Sequence, residues 1–165
     1  MLAQQYTLEY EPLKVYCFDT STFIELWNVT HRPQTFPSLW KDIEKIIAAK
    51  KIISSVEVLN ELQARDDDLF AWAVKNKQGF LPIDRVQIEE LQKIYLEIEN
   101  VGHKGRIFDA DPWILALGRT KNAYVVSSEK HTGDKGNPRI PDACKFLNIP
   151  HIRSSDVFEI EGLSY

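Results

Sequence analysis

The feature that most limits what this chain can fold into is the way its short apolar runs end. Val15 to Phe18 and Ala123 to Ser127 are rich in β-branched and aromatic residues, and both stop at polar residues: Asp19-Thr20-Ser21 after the first, Ser128-Glu129 after the second. Ile52-Ile53 is a briefer run of the same kind, and Pro150 to Arg153 reads as a last strand. Between these runs, apolar residues recur at helical spacing, as in Leu39, Ile43, Ile46 and Ile47, or Leu91, Ile94, Tyr95 and Ile98. Short strands alternating with helices predict an α/β domain with a central, mainly parallel sheet.

Helix boundaries carry their own chemical signals. Ser38 is placed to cap the helix containing Leu39, and Lys50 and Lys51 suit the negative pole at its end. Ser54 and Glu57 have capping-box spacing before a helix from Ser55 to about Ala64. A further helix follows Asp66, Asp67 and Asp68 and buries Leu69, Trp72 and Ala73. Asp84 and Gln87 repeat the capping pattern, and Gly102 is the expected stop of that longer helix. Asp111-Pro112 reads as an N-cap followed by proline at the first helical position. Val29 to Pro37 and Lys130 to Arg139 read as loops, and Pro141 to Leu147 as a short helix. Trp27, Trp40, Trp72 and Trp113 occupy helical positions with apolar neighbours, as core residues do.

The 165 residues show no repeat, low-complexity run or Pro/Gly/Ser linker, so one domain over 1–165 is expected, with its core at about 13–153. Apolar stretches fall short of a membrane span, and residues 1–14 lack the basic and apolar regions of a secretory signal. Cys17 and Cys144 belong to no paired motif and read as buried thiols of a reducing compartment, so a cytoplasmic location is expected. A net charge of −4 argues against a protein that coats nucleic acid, though not against an enzyme that cuts it.

Chemistry should gather beyond the carboxyl ends of the strands. Two strands run into Asp19 and Glu129, and a third feeds the helix carrying Glu57 and Glu61. The helix that starts at Asp111 leads into the strand at 123, which puts Asp111 at the same edge. Carboxylates brought together repel one another unless cations neutralise them. An all-oxygen set without Cys or His suits Mg²⁺ or Mn²⁺ rather than Zn²⁺, and such ions can activate water for in-line phosphoryl displacement.

These residues carry a resemblance. Val-Tyr-Cys-Phe-Asp-Thr-Ser at 15–21 resembles the opening motif of PIN domains, and Asn60-Glu61-Leu62 resembles the second. Asp111 to Ala116 is similar to the third, and Val125 to Glu129 to the fourth. The resemblance implies a three-layer α/β/α fold and a divalent-metal-dependent ribonuclease, with Asp19, Glu61, Asp111 and Glu129 as metal ligands. Many small members are toxins of toxin–antitoxin pairs, which implies an RNA substrate and an antitoxin partner; a basic arm on that partner would suit the acidic cleft. Ser21 stands where Asn is common and Glu129 where Asp is commoner, so the chain looks closest to a less characterised PIN-like branch.

Each residue also has a plainer reading. Asp19 and Asp111 can cap helices, and one carboxylate can do both jobs; Asp109 competes with Asp111, and Glu57 with Glu61. Ser21 and Ser127 can hold a ligand carboxylate or merely satisfy strand ends. His103, Lys104 and Arg106, with Lys130, His131, Lys135 and Arg139, can hold RNA phosphates or be solvated loop charge. Two rival functions remain: a non-catalytic PIN-like module binding RNA or protein, and a HAD-like phosphatase. The latter expects a second acid at 21 and usually Thr at 23, where this chain has Ser21 and Phe23. A homodimer is left open.

Overall fold

The structure, a computed structural model, describes residues 13–100, 111–134 and 138–165. Its centre is a five-stranded, all-parallel sheet: β1 (Tyr16–Phe18), β2 (Ile52–Ser55), β3 (Phe80–Leu81), β4 (Tyr124–Val126) and β5 (His151–Ile152). The spatial order is β3-β2-β1-β4-β5. Successive strands are added on one side as far as β3; the chain then crosses back over β1 and adds β4 and β5 on the other. The order of strand addition therefore reverses between β1 and β4, which run parallel with Phe18 paired to Val126. The sequence reading gave four strands. β3 escaped it because two residues between Gly79 and Pro82 show no periodicity.

Alternation along β1 separates the two layers that cover the sheet. Phe18 meets Phe23 of α1 (Thr20–Glu25) with ring centroids 5.5 Å apart, whereas the Cys17 thiol turns to the Ile114 carbonyl of α6 (Asp111–Thr120). On the Phe18 side lie α2 (Pro37–Ala48) and α4 (Asp67–Lys75), tied by Trp40 and Trp72, whose ring centroids are 4.9 Å apart. Trp27 packs edge-on against Trp40 at 4.8 Å. Each buried indole finds an acceptor: Trp40 donates to the His31 carbonyl and Trp72 to Glu44. The Cys17 side holds α5 (Arg85–Asn100), α6 and α7 (Ile140–Leu147). All three residues of β1 are fully buried, as a central parallel strand with two covered faces requires.

Several helix starts differ from the sequence reading. α2 opens on Pro37 at N1, with Phe36 rather than Ser38 at the N-cap, because proline's fixed φ already sets the first turn. α3 (Val56–Arg65) is capped by Ser55, which accepts from the Glu57 amide at 3.2 Å. Ser54 belongs to β2 instead, and its hydroxyl donates to the Phe18 carbonyl at 2.6 Å. Asp84 accepts from the Gln87 amide at 2.8 Å, as its spacing predicts, but Gln87 donates to Pro82 rather than closing a box. Gly102 and Asp109 lie outside the described residues. A last helix that the sequence reading did not assign, α8 (Ser154–Ile160), follows β5. Just after it, Glu161 accepts from Tyr16 at 2.7 Å and pairs with Lys51.

α6 approaches the sheet closely because Gly118 has no side chain. A Cβ there would lie 2.6 Å from Val125 Cγ2, a buried, branched side chain that cannot swing away. Gly118→Ala should therefore lower stability by about 1–3 kcal/mol, more than alanine's better helix propensity returns. Thermal denaturation checks this, and an unchanged or raised melting temperature would mean that α6 does not sit this close.

Candidate active site

The carboxyl ends of β1 and β4 meet at the switch point, the place where open parallel sheets form a crevice. Asp19 follows β1 directly and is only 2% exposed. Its amide donates to the Val126 carbonyl at 3.1 Å, which fixes the residue against β4. Asp19 also caps α1: Oδ1 accepts from the Thr22 amide at 2.8 Å and the Thr22 hydroxyl at 2.7 Å. Oδ2 accepts from Ser127 at 2.7 Å, and the Ser21 hydroxyl reaches both oxygens, at 3.0 and 2.8 Å. Every one of these donors is neutral.

Burial pushes the Asp19 carboxyl up to about 6, although the Thr22, Ser127 and Ser21 hydrogen bonds pull the other way. The plainer reading of Asp19 as a helix cap is thus structurally real. Capping alone, however, does not require a carboxylate held in the sheet crevice, where its ionisation is opposed.

Glu61 stands on α3 beside this group, and its Oε2 accepts from the hydroxyl of Thr20, the residue after Asp19. Glu57 turns away along its own helix and accepts from Asn60 at 3.3 Å. Asp111 opens α6, half-buried, with Pro112 behind it. Burial raises the Cys144 thiol to about 12, with the charges of Asp19 and Asp111 adding to the effect; both acids therefore lie within electrostatic range of one buried sulfur on α7.

Glu129 is placed differently. Its amide donates to Ser127 Oγ at 3.1 Å, which ties its backbone to the crevice. Its carboxylate meets the start of α7: Oε2 accepts from the Ile140 amide at 2.9 Å, and Oε1 lies 3.5 Å from Arg139. Arg153 secures the same turn by donating to the Ser128 and Glu129 carbonyls at 3.2 and 3.3 Å. Among the described residues, no three His, Cys, Asp or Glu side chains form a group that could hold a metal ion. The arrangement thus brings Asp19 together with Ser21, Thr22 and Ser127, ties Glu61 to the neighbouring Thr20, leaves Asp111 within electrostatic range of Cys144, and commits Glu129 to α7.

If Glu129 serves chiefly as this cap, Glu129→Ala should cost about 1 kcal/mol, as loss of a charge-assisted hydrogen bond to a helix terminus does. The stabilisation by added Mn²⁺, read as a rise in melting temperature, should survive the change. Loss of that rise would return Glu129 to the metal site.

Thr20, Thr22 and Arg153 were not singled out in the sequence. Thr22 had a legible signal, since it stands three residues after an N-cap candidate, where a hydroxyl can fold back on the cap. Arg153 had none, because its target is a pair of carbonyls more than twenty residues away. Lys130 is exposed on the loop after β4, and His131 lies 3.1 Å from Asp142. His103, Lys104, Arg106 and Lys135 lie outside the described residues. No described helix is long and apolar enough to cross a membrane.

Fold and crevice together define an all-parallel α/β domain with a buried carboxylate at its switch point. Residues 16–165 match the family described as a domain of unknown function, DUF4411, and the chain belongs to that family. The comparison with curated proteins gives no match.

Proposed function

We propose that this chain is a PIN-like, divalent-metal-dependent ribonuclease that hydrolyses RNA phosphodiester bonds. The observation that carries the reading is Asp19, buried at the β1/β4 switch point, held by three hydroxyls and protonated more readily than an ordinary carboxylate. The parallel five-strand sheet is consistent with a PIN-like fold, and the four motifs fall along it in the expected order.

Among the described residues, the groups that meet Asp19 directly are oxygen donors, and an oxygen set suits a hard cation such as Mg²⁺ or Mn²⁺. Asp19 and Asp111 would hold it, with Glu61 acting at the rim; Glu129 joins only if its carboxylate leaves α7. When bound, such a cation polarises a phosphoryl oxygen and makes bound water nucleophilic near neutral pH. The chain's own part is positional. Ser21, Thr22 and Ser127 fix the Asp19 carboxylate so that little reorganisation is needed. Lys130, exposed on the loop after β4, would meet a phosphate of the RNA strand, with His103, Lys104 and Arg106 as further candidates from the sequence.

The test is cleavage of structured RNAs by the purified full-length protein with Mg²⁺, Mn²⁺ or EDTA. Cutting that needs the metal, with 5′-phosphate and 3′-hydroxyl ends, supports the reading. Binding of RNA without cleavage in any metal supports the second reading, a non-catalytic module, which the commitment of Glu129 to α7 favours.

A toxin role would add a partner whose basic arm covers the acidic crevice, with binding that weakens as salt rises. Expression of the chain alone should then slow growth, and Asp111→Asn at equal protein level should not. Harmless wild type that still cuts RNA in vitro would remove the toxin role and leave the nuclease.

A further inference from the structure

At the end of the sheet opposite Asp19, the structure holds an open cavity of about 310 Å³. Val15, just before β1, and Ile52 and Ile53 of β2 form its floor, with Ile47 and Leu81 beside them. Its polar residues are Gln78 and two lysines, Lys50 after α2 and Lys121 after α6. No acid lines it.

Lys50 is held in an unusual way. It sits at φ 61, the left-handed position where helices favour glycine, with its amide bonded to Ile47 and the next amide to Ile46. A long cationic side chain is thus kept at a position where glycine or asparagine would fit with less strain. Strained backbone of this kind is characteristic of places that hold a ligand or segment.

The occupant with the best claim is the stretch of this chain that runs into Val15. Residues 1–12 lead through Leu13, which is 58% exposed, directly to Val15 in the cavity floor. In that stretch Tyr6, Leu8 and Tyr10 alternate with Thr7, Glu9 and Glu11. Extended chain would put the three apolar residues on one side and the two acids on the other. From β1 to the edge strand β3 is roughly 10 Å, two strand spacings, which three or four extended residues span. Apolar side chains then match the floor, and Glu9 and Glu11 match Lys50 and Lys121. We propose that this cavity is the docking site of residues 6–11 of the same chain, held by apolar contact and by Glu9 and Glu11 against Lys50 and Lys121.

Charge reversal in the full-length protein tests the pairing. The readout is the rate of chymotryptic cleavage at the Tyr6–Thr7 bond, which leaves positions 9 and 11 outside the bond itself. Lys50→Glu with Lys121→Glu should speed cleavage at least about tenfold, and so should Glu9→Lys with Glu11→Lys, whose sites lie outside the described fold. All four changes together should restore the slow rate. Equal rates in wild type and both double variants overturn the proposal. So does a slow rate that is lost on dilution, which would assign the cavity to the same segment of a second copy, or one that depends on an added small anion, which would make it a ligand site.

Discussion

Asp19→Asn should reduce metal-dependent RNA cleavage by at least about a hundredfold while leaving the metal-free fold as stable as wild type or more so. The first half follows from chemistry, since an amide is a poor ligand for Mg²⁺ and carries no charge to share with Asp111. The second half follows from the surroundings of Asp19. Asparagine caps helices as well as aspartate, and its Oδ1 can keep the Thr22 amide and hydroxyl. Its Nδ2 would face the Ser127 and Ser21 hydroxyls, which can turn from donating to accepting. Asp19→Ala separates the two roles, because it removes the cap too and should cost about 1–2 kcal/mol. Cleavage assays with matched denaturation curves check both halves. A large stability loss in Asp19→Asn with residual cleavage would make Asp19 a structural cap and little more.

The sheet was legible because its central strands are buried on both faces and so read as unbroken apolar runs that stop at polar residues. Val15 to Phe18 and Ala123 to Ser127 gave β1 and β4, and with them the crevice between Asp19 and Ser127. Edge structure was not legible. β3 has two residues, and α8 begins at Ser154 with Arg153 at its cap, where no Ser, Thr, Asp or Asn signal stands. Caps were misplaced by one residue at Ser54 and by two at Ser38, since neighbouring serines and a proline offer equivalent local chemistry and tertiary packing chooses among them. The acids were findable by their places after strands, but their orientation was not. Nothing local says that Glu129 would turn to the Ile140 amide, because α7 approaches only through the fold.

Metal-free protein should lose stability as pH rises from about 4 to about 6, and Asp19→Asn should not. Folding raises the Asp19 carboxyl to about 6, chiefly through burial, against 3.8 for an exposed aspartate. Between those values the folded chain holds a proton that the unfolded chain has released, so stability falls with pH across that window. Above it the loss is complete and amounts to roughly 3 kcal/mol, the free energy that corresponds to the rise from 3.8 to about 6. Asp42, Asp142 and Glu161 have carboxyls held below their usual range, so their contributions fade only as pH drops below this window. The difference between wild type and Asp19→Asn isolates Asp19 from them. A bound divalent cation favours the charged carboxylate, so saturating Mn²⁺ should flatten the wild-type slope and raise its melting temperature at pH 7 more than the variant's. Urea melts at stepped pH, with and without Mn²⁺, read the whole pattern. A wild-type slope that Mn²⁺ leaves untouched would mean that Asp19 binds no metal, and the nuclease reading would lose the observation that carries it.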